Sequence, residues 1–555
     1  MAGRVGVLDL VCLVLAAATR SACDDFGPLV TATQGEAWPK PQLQVEHEGF
    51  VGVLPSKFSF NVTKRTCGIL QEALGRYSEE MHSHWTSCCS ARGGDVSLEE
   101  GQLLLLSSLE VQLMSPCEER PYLGMDEHYE LRINSPGSEK AALLTSQSIW
   151  GILRGLETFS QLLHADRNLN LLRANSTAIM DFPRFTHRGL LLDTSRHFLP
   201  TATIRTVLDG MEMNKMNVFH WHIVDSQSFP YQSEAFPNLS KKGAYNSAKL
   251  VYSQQDVRNI TEYARLRGIR VVPEFDTPVE GGCTTSTGGA GHASSWGRGQ
   301  PGLLTPCHLG AGDLPDGTYG PVNPVLESTY SFMAALLREA AGVFGDRFLH
   351  LGGDEVTFEC WESNPDVTDF MSEHGIGNST QLEQYYMSRL LNITSGLNVS
   401  AVVWQDVFDN GVSLPRDTIV HVWNGIPYEE LAQPALQVTA AGHQALLSSC
   451  WYLDSLEPGG SWSQFYDCEP TDFSGTEDQK ALVMGGEACM WGEMVDESNV
   501  VSRVWPYSSL AAEKLWSSAD ADTEDGAARR LEEHYCRMKR RGVGAQPPNG
   551  PGYCL

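Results

Sequence analysis

From Arg188 onward, short apolar runs recur along the chain, separated by segments with helical spacing. The runs are RGLLLDTS, NVFHWHIVD, GIRVVPEFD, RFLHLGGDE, SAVVWQDVF, TIVHVWN, HQALLSSCWYLD and ALVMGGEACMW. They are too continuously apolar for strands with one wet face, and read as parallel strands buried on both faces. Helical patterns such as QQDVRNITEYARLRG and TYSFMAALLREAAGVF lie between several of them. Eight strands alternating with helices predict an α/β fold, a (β/α)8 TIM barrel spanning 183–555. The competing architecture, a doubly wound open sheet, usually carries a glycine-rich phosphate loop after a strand, and the chain has none. Upstream, in 23–182, LLLLSSLEVQLM and YELRINS predict strands and SQSIWGILRGLETFSQLLHA an amphipathic helix, hence a smaller α+β domain.

Residues 1–22 have the apolar core and small-residue end of a signal peptide. No later run reaches the roughly 18 apolar residues of a membrane span, so none is expected in the mature chain. A net charge of −28 disfavours nucleic acid and anionic membranes as partners. Fourteen cysteines fit an oxidising compartment, as do seven N-x-S/T sequons, at Asn61, Asn175, Asn238, Asn259, Asn378, Asn392 and Asn398. Cys536 and Cys554 flank the tail segment VGAQPPNGPGYC and are placed to staple it.

The candidate chemistry lies where the apolar runs stop. Strand ends carry Asp193 and Arg196, Asp225, Asp276, Asp354 and Glu355, Trp404, Trp423, Tyr452 and Asp454, Trp491 and Glu493. In a parallel barrel these ends share one face, where active sites sit. Aspartates there also cap the following helices, but three tryptophans do not. Indoles with carboxylates suit a sugar, whose apolar ring face packs on aromatics while acids take its hydroxyls.

Asp354 and Glu355 pose a problem. Most glycosidases flank the scissile bond with two carboxylates, about 5–5.5 Å apart for retention or about 6.5–9.5 Å for inversion. Adjacent residues of a regular strand point to opposite faces. Either one acid pairs with a carboxylate from another strand, such as Asp225 or Glu493, or the chain twists at Gly352-Gly353 and both acids enter the site with different tasks. The H-x-H of His220 and His222 is a weaker metal signal. Asp225 has the wrong parity and further strand-end histidines are lacking, so core histidines are the preferred reading and no metal or other cofactor is expected.

The motifs HRGLLLDTSRHF, HWHIVD, EFDTP, HLGGDEV, VVWQ and GGEACMWGE resemble those of the β-N-acetylhexosaminidases of glycoside hydrolase family 20. The likeness covers nearly the whole mature chain, and is to the lysosomal members. CWYLDSL and the tail GAQPPNGPGYC are more similar to the β-type than the α-type subunit. The resemblance implies retaining, substrate-assisted catalysis through an oxazolinium intermediate, in which the sugar's own acetamido oxygen attacks. It implies Glu355 as general acid and then base, and Asp354 as the group orienting the acetamido N–H. Tyr452 would bind the acetamido oxygen. Trp404, Trp423 and Trp491 would wall the pocket, Arg196, Asp454 and Glu493 would hold hydroxyls, and Asp225 would touch the site. It further implies Cys67–Cys117 and Cys307–Cys360 bridges, a homodimer or a heterodimer with an α-like subunit, and glycans, glycolipids and glycosaminoglycan fragments as substrates.

One departure stands out. VEGGCTTSTGGA, residues 279–290, intervenes between EFDTP and GHASSWG. His292 is the best match to the family's active-site histidine, but the insertion separates it from Asp276. A non-catalytic or impaired carbohydrate-binding barrel is therefore the alternative expectation. Cys450 and Cys468, flanking the segment after the seventh strand, are placed to form an extra bridge.

Overall fold

The computed structural model describes residues 30–89, 104–138, 141–278, 294–310, 314–424, 428–454, 462–550 and 552–554. The expected signal peptide, the insertion at 279–290 and His292 lie outside them.

All eight predicted parallel strands form and close into one barrel. We number them β1 (His187–Asp193), β2 (Val218–Val224), β3 (Arg270–Phe275), β4 (Phe348–His350), β5 (Ser400–Trp404), β6 (Ile419–Val422), β7 (Gln444–Leu447) and β8 (Val483–Met490). Each pairs in parallel with the next, and β8 closes on β1 through the register Gly485 with His187 to Met490 with Leu192. Every residue of β1, β2 and β3 is buried, as strands covered on both faces require.

The N-terminal unit is a sheet ordered 59–62, 108–113, 142–146, 129–133, 171–181, 43–53, 104–105, with 164–166 pairing on 171–181. The predicted helix spans Ile149–Leu162, capped by Ser148, which accepts from the Gly151 N–H. It is buried all round rather than amphipathic, because the sheet covers one side and the barrel the other. Its polar residues are satisfied across that junction. Arg154 bonds Glu127 at 2.8 Å and donates to the carbonyls of Arg267 and Gly268. Arg188 of β1 reaches the same Glu127 at 2.6 and 2.7 Å. Burying charge without such partners would cost several kcal/mol per ion, so the two units are locked in one arrangement.

Disulfides join Cys67 to Cys117, Cys307 to Cys360, Cys450 to Cys468 and Cys536 to Cys554. All seven sequon asparagines are exposed. Among the described residues no helix is long and apolar enough to cross a membrane.

Candidate active site

The adjacent acids are resolved by the backbone. β4 stops at His350, and Gly352, Gly353 and Glu355 all take positive φ, at 70°, 96° and 48°. The turn's two N–H groups are caught by side chains: Gly352 donates to His350 Nδ1 at 3.1 Å, and Gly353 to Asp276 Oδ1 at 3.1 Å. Only glycine fits here, since a Cβ on Gly352 would lie 1.8 Å from Asp276 Oδ1 and one on Gly353 2.4 Å from Val407. Glu355, a non-glycine held in the left-handed region, carries local strain of the kind found at functional sites. The twist separates the two acids. Asp354 has its Oδ1 buried with no partner among the described residues, whereas Glu355 is solvent-exposed.

Asp354, Glu274 and Asp276 bring carboxylate oxygens within 4.8 Å of one another. Burial, then the charges of Glu274 and Asp406, push Asp354 well above the ordinary carboxylate range. Burial, then Asp354, Asp225 and Glu274, do the same to Asp276. Glu274 behaves oppositely: burial disfavours its charge, but His222 and His350 outweigh burial and hold it well below its usual value. One ionised carboxylate thus sits beneath two carboxyls that retain protons more strongly than usual.

Glu274 is the hub of a buried polar chain. It accepts from the Trp404 indole at 2.8 Å and meets His222 Nδ1 at 2.5 Å. His222 Nε2 meets Asp225 at 2.8 Å, and Asp225 pairs with Arg196 at 2.8 Å. A register shift between His222 and Val224 bends the end of β2, so the parity objection to grouping Asp225 with the histidines fails. Arg196 also pairs with Asp193 at 3.1 Å, lies 3.8 Å from exposed Glu493, and stacks over Trp491 at 5.2 Å. Deeper in the barrel, His220 Nδ1 meets Glu487 at 2.8 Å and His187 meets the other oxygen of Glu487 at 2.6 Å. His220 Nε2 is 3.1 Å from Glu274, misaligned for a hydrogen bond but close enough for ionic attraction.

Ring nitrogens of His220, His350 and His421 also lie within 4.8 Å of one another. Yet His220 stacks on His350 at 4.5 Å and His421 on Trp404 at 4.2 Å. Imidazole lone pairs lie in the ring plane, so the face-to-face pair His220 and His350 do not point theirs at each other, and His350 Nδ1 is already taken by Gly352.

Burial would lower His220, but Glu487 and the Glu274 contact raise it to about 9, and His222 is likewise raised well above normal, with Glu274 foremost over burial. The folded protein then holds these protons at a pH where unfolded imidazoles, near about 6.5, have lost them. Their stabilisation is complete below that value and is lost as pH rises through the folded values. The thermal midpoint should therefore fall between pH 7 and pH 9.5 in calorimetry; a flat or rising midpoint would contradict the charge assignment.

The aromatic wall is a separate cluster. Leu191, Trp404 and Cys489 are buried, with Trp423, Tyr452 and Trp491 packed against them. Trp423 donates to Asp406 at 2.7 Å and lies 6.4 Å from Tyr452, which is 6.4 Å from Trp491. Asp454 is exposed. The structure thus gathers Arg196, Asp225, Asp354, Trp404, Trp423, Tyr452, Trp491 and Glu493 around the strand ends, with Glu355 and Asp454 on exposed turns just past β4 and β7. Sequence reasoning missed Glu274, Asp406 and Glu487. Strand parity marked two of them: Glu274 shares the face of Asp276, and Glu487 alternates with Cys489 and Trp491.

A closed barrel with carboxyls and an aromatic wall at the strand C-terminal ends defines a sugar-processing enzyme of the TIM-barrel class. The profile of the glycosyl hydrolase family 20 catalytic domain matches residues 185–519, and a profile described as beta-acetyl hexosaminidase like matches 37–162. The chain belongs to glycosyl hydrolase family 20: it is a glycoside hydrolase of the β-N-acetylhexosaminidase type. It is 46% identical to the beta-hexosaminidase subunit alpha of Bos taurus, over 95% of this chain and 97% of that one. It is 43% identical to the subunit beta of Homo sapiens, over 100% and 95%. These identities do not separate the two types, so the expected β-type likeness is unresolved. The Flavobacterium johnsoniae chitobiase structure aligns with a TM-score of 0.76 at 28% identity, covering 91% of this chain and 73% of that one.

Proposed function

We propose that the protein removes terminal, non-reducing β-GlcNAc and β-GalNAc from glycoconjugates, with the substrate's acetamido oxygen as nucleophile. The observation that carries this reading is the Gly352-Gly353 turn, which gives two adjacent acids different surroundings. Exposed Glu355 is free to protonate the leaving oxygen and later to take a proton from water. Asp354, set beside ionised Glu274, faces a pocket where positive charge is favoured. A bound acetamido N–H and the developing oxazolinium charge would each draw Asp354 toward its carboxylate form. Tyr452 binds the acetamido oxygen, while Trp404, Trp423 and Trp491 wall the sugar. Arg196, Asp454 and Glu493 hold ring hydroxyls. Asp225 acts through Arg196 and His222, and His292 is assigned a substrate contact from the family motif alone. Holding the acetamido group against the anomeric carbon makes the attack intramolecular, where effective molarities reach about 10⁵–10⁸ M.

The exposed sequons and disulfides support a secretory route to an acidic compartment, the lysosome, and the relatives named as subunits support a dimer, with itself or with an α-like chain. Acidic Asp454 beside the pocket, followed by Ser455 with no base, disfavours substrates with nearby sulfate or sialic acid. Purified homodimer should hydrolyse neutral aryl N-acetyl-β-glucosaminides and galactosaminides at least about tenfold faster than the 6-sulfated form. Equal rates would overturn the substrate assignment.

A further inference from the structure

The Cys450–Cys468 bridge lies outside the set that the family resemblance implied, and it closes at the pocket's edge. We propose that this bridge is a positioning element of the substrate pocket, fixing Tyr452 and Asp454 against β8 for the sugar. The inference rests on the pocket reading given above.

β7 ends at Leu447 and β8 begins at Val483, so Tyr452 and Asp454 sit at the start of a long connection. From the β8 side the backbone is held by two bonds. Cys489 donates to the Trp451 carbonyl at 3.0 Å, and Leu453 donates to the Cys489 carbonyl at 2.9 Å. On the other side, the buried Trp451 indole donates to the Phe465 carbonyl at 3.0 Å. The bridge adds the covalent tie there. Cys450 is partly exposed and two residues from Tyr452, whereas Cys468 is fully buried. Its neighbour Glu469 is gripped by both terminal nitrogens of Arg184, one at 2.9 Å, on the segment leading into β1. Arg184 is itself fastened through its N–H to the Trp516 carbonyl. The bridge therefore links the long connection, at the point where it lines the pocket, to an anchor fixed on the barrel. Without it, the 450–453 and 465–468 segments are held together among the described residues by that indole hydrogen bond and by the apolar packing of Trp451 and Leu453 with Phe465 and Cys468, neither of them covalent, and Tyr452 gains freedom that substrate binding must remove.

A bridge that only staples the fold would act through the unfolded chain, lowering stability on removal while leaving the native pocket unchanged. The Cys67–Cys117 bridge, packed against the core of the N-terminal sheet, serves as that control. The experiment compares full-length parent with the double variants Cys450→Ser/Cys468→Ser and Cys67→Ser/Cys117→Ser, well below all their thermal midpoints. Read out are kcat and KM on an aryl N-acetyl-β-glucosaminide, and binding of N-acetylglucosamine by calorimetry. Loss of the Cys450–Cys468 bridge should raise KM and the N-acetylglucosamine Kd about tenfold, with kcat changed less than about threefold. The control should lose thermal stability with KM and Kd unchanged. Unchanged KM and Kd in the Cys450–Cys468 variant overturn the proposal, whatever its Tm. Should the serines prevent folding, Cys450→Val/Cys468→Val, which keeps apolar bulk at the buried site, carries the same comparison. A parent without activity would instead refute the functional reading, while the calorimetric arm still decides the role of the bridge.

Discussion

Glu355→Gln should leave a folded protein that turns over aryl N-acetyl-β-glucosaminides with poor leaving groups at least about 10³-fold more slowly. Glutamine keeps the shape and the hydrogen-bonding reach of the side chain but has no proton to give. The penalty must therefore depend on the leaving group. A 2,4-dinitrophenolate departs with little protonation, so the first step should largely survive on that substrate, whereas a methylumbelliferyl or sugar leaving group needs the acid. Glu355 is exposed and anchored only by the strained turn that carries it, so the substitution disturbs no packing. Circular dichroism and Tm should match the parent. Near-normal turnover of the poor leaving group would remove Glu355 from its assigned role.

Asp354→Asn should lower kcat by about 10²–10³, the usual loss when one preorganised electrostatic partner of the transition state is removed. The amide still fits and still accepts from an N–H, but it cannot offset a cationic oxazolinium. KM should change far less, because the charge develops after binding. Asp354 carries a buried, unpartnered oxygen beside Glu274, so neutralising it also relieves repulsion among carboxylates, and Tm should hold or rise. An unchanged kcat would show that the charge of Asp354 takes no part in the reaction.

The barrel was legible because its strands are buried on both faces and bounded by helices, and all eight runs became strands. Their ends were read too long where function takes over. RFLHLGGDE yields only Phe348–His350, since Gly352 and Gly353 leave the strand to deliver the acids. SAVVWQDVF ends at Trp404 because Gln405–Asp409 turns into a short helix carrying Asp406 to Trp423. LLLLSSLEVQLM splits into Leu104–Leu105, at one edge of the N-terminal sheet, and Ser108–Leu113, an inner strand near the other edge. The N-terminal helix looked amphipathic because its polar residues repeat, yet those residues face another domain rather than water, a distinction that periodicity does not encode. The core histidines were anticipated; their ionic partners were not. Glu274 and Glu487 sit in apolar strands where an isolated acid would be prohibitively costly, and only the closed barrel brings the histidines that compensate them.

The central claim is that the sugar's acetamido group is the nucleophile. It is tested most directly by comparing kcat/KM of the purified protein on an aryl N-acetyl-β-glucosaminide with that on the matching β-glucoside, which differs only in carrying a hydroxyl at C2. The account predicts ready hydrolysis of the first and a loss of at least about 10⁴-fold on the second, since the intramolecular nucleophile is gone. Comparable rates, or a glycosyl ester trapped on the protein, would contradict it.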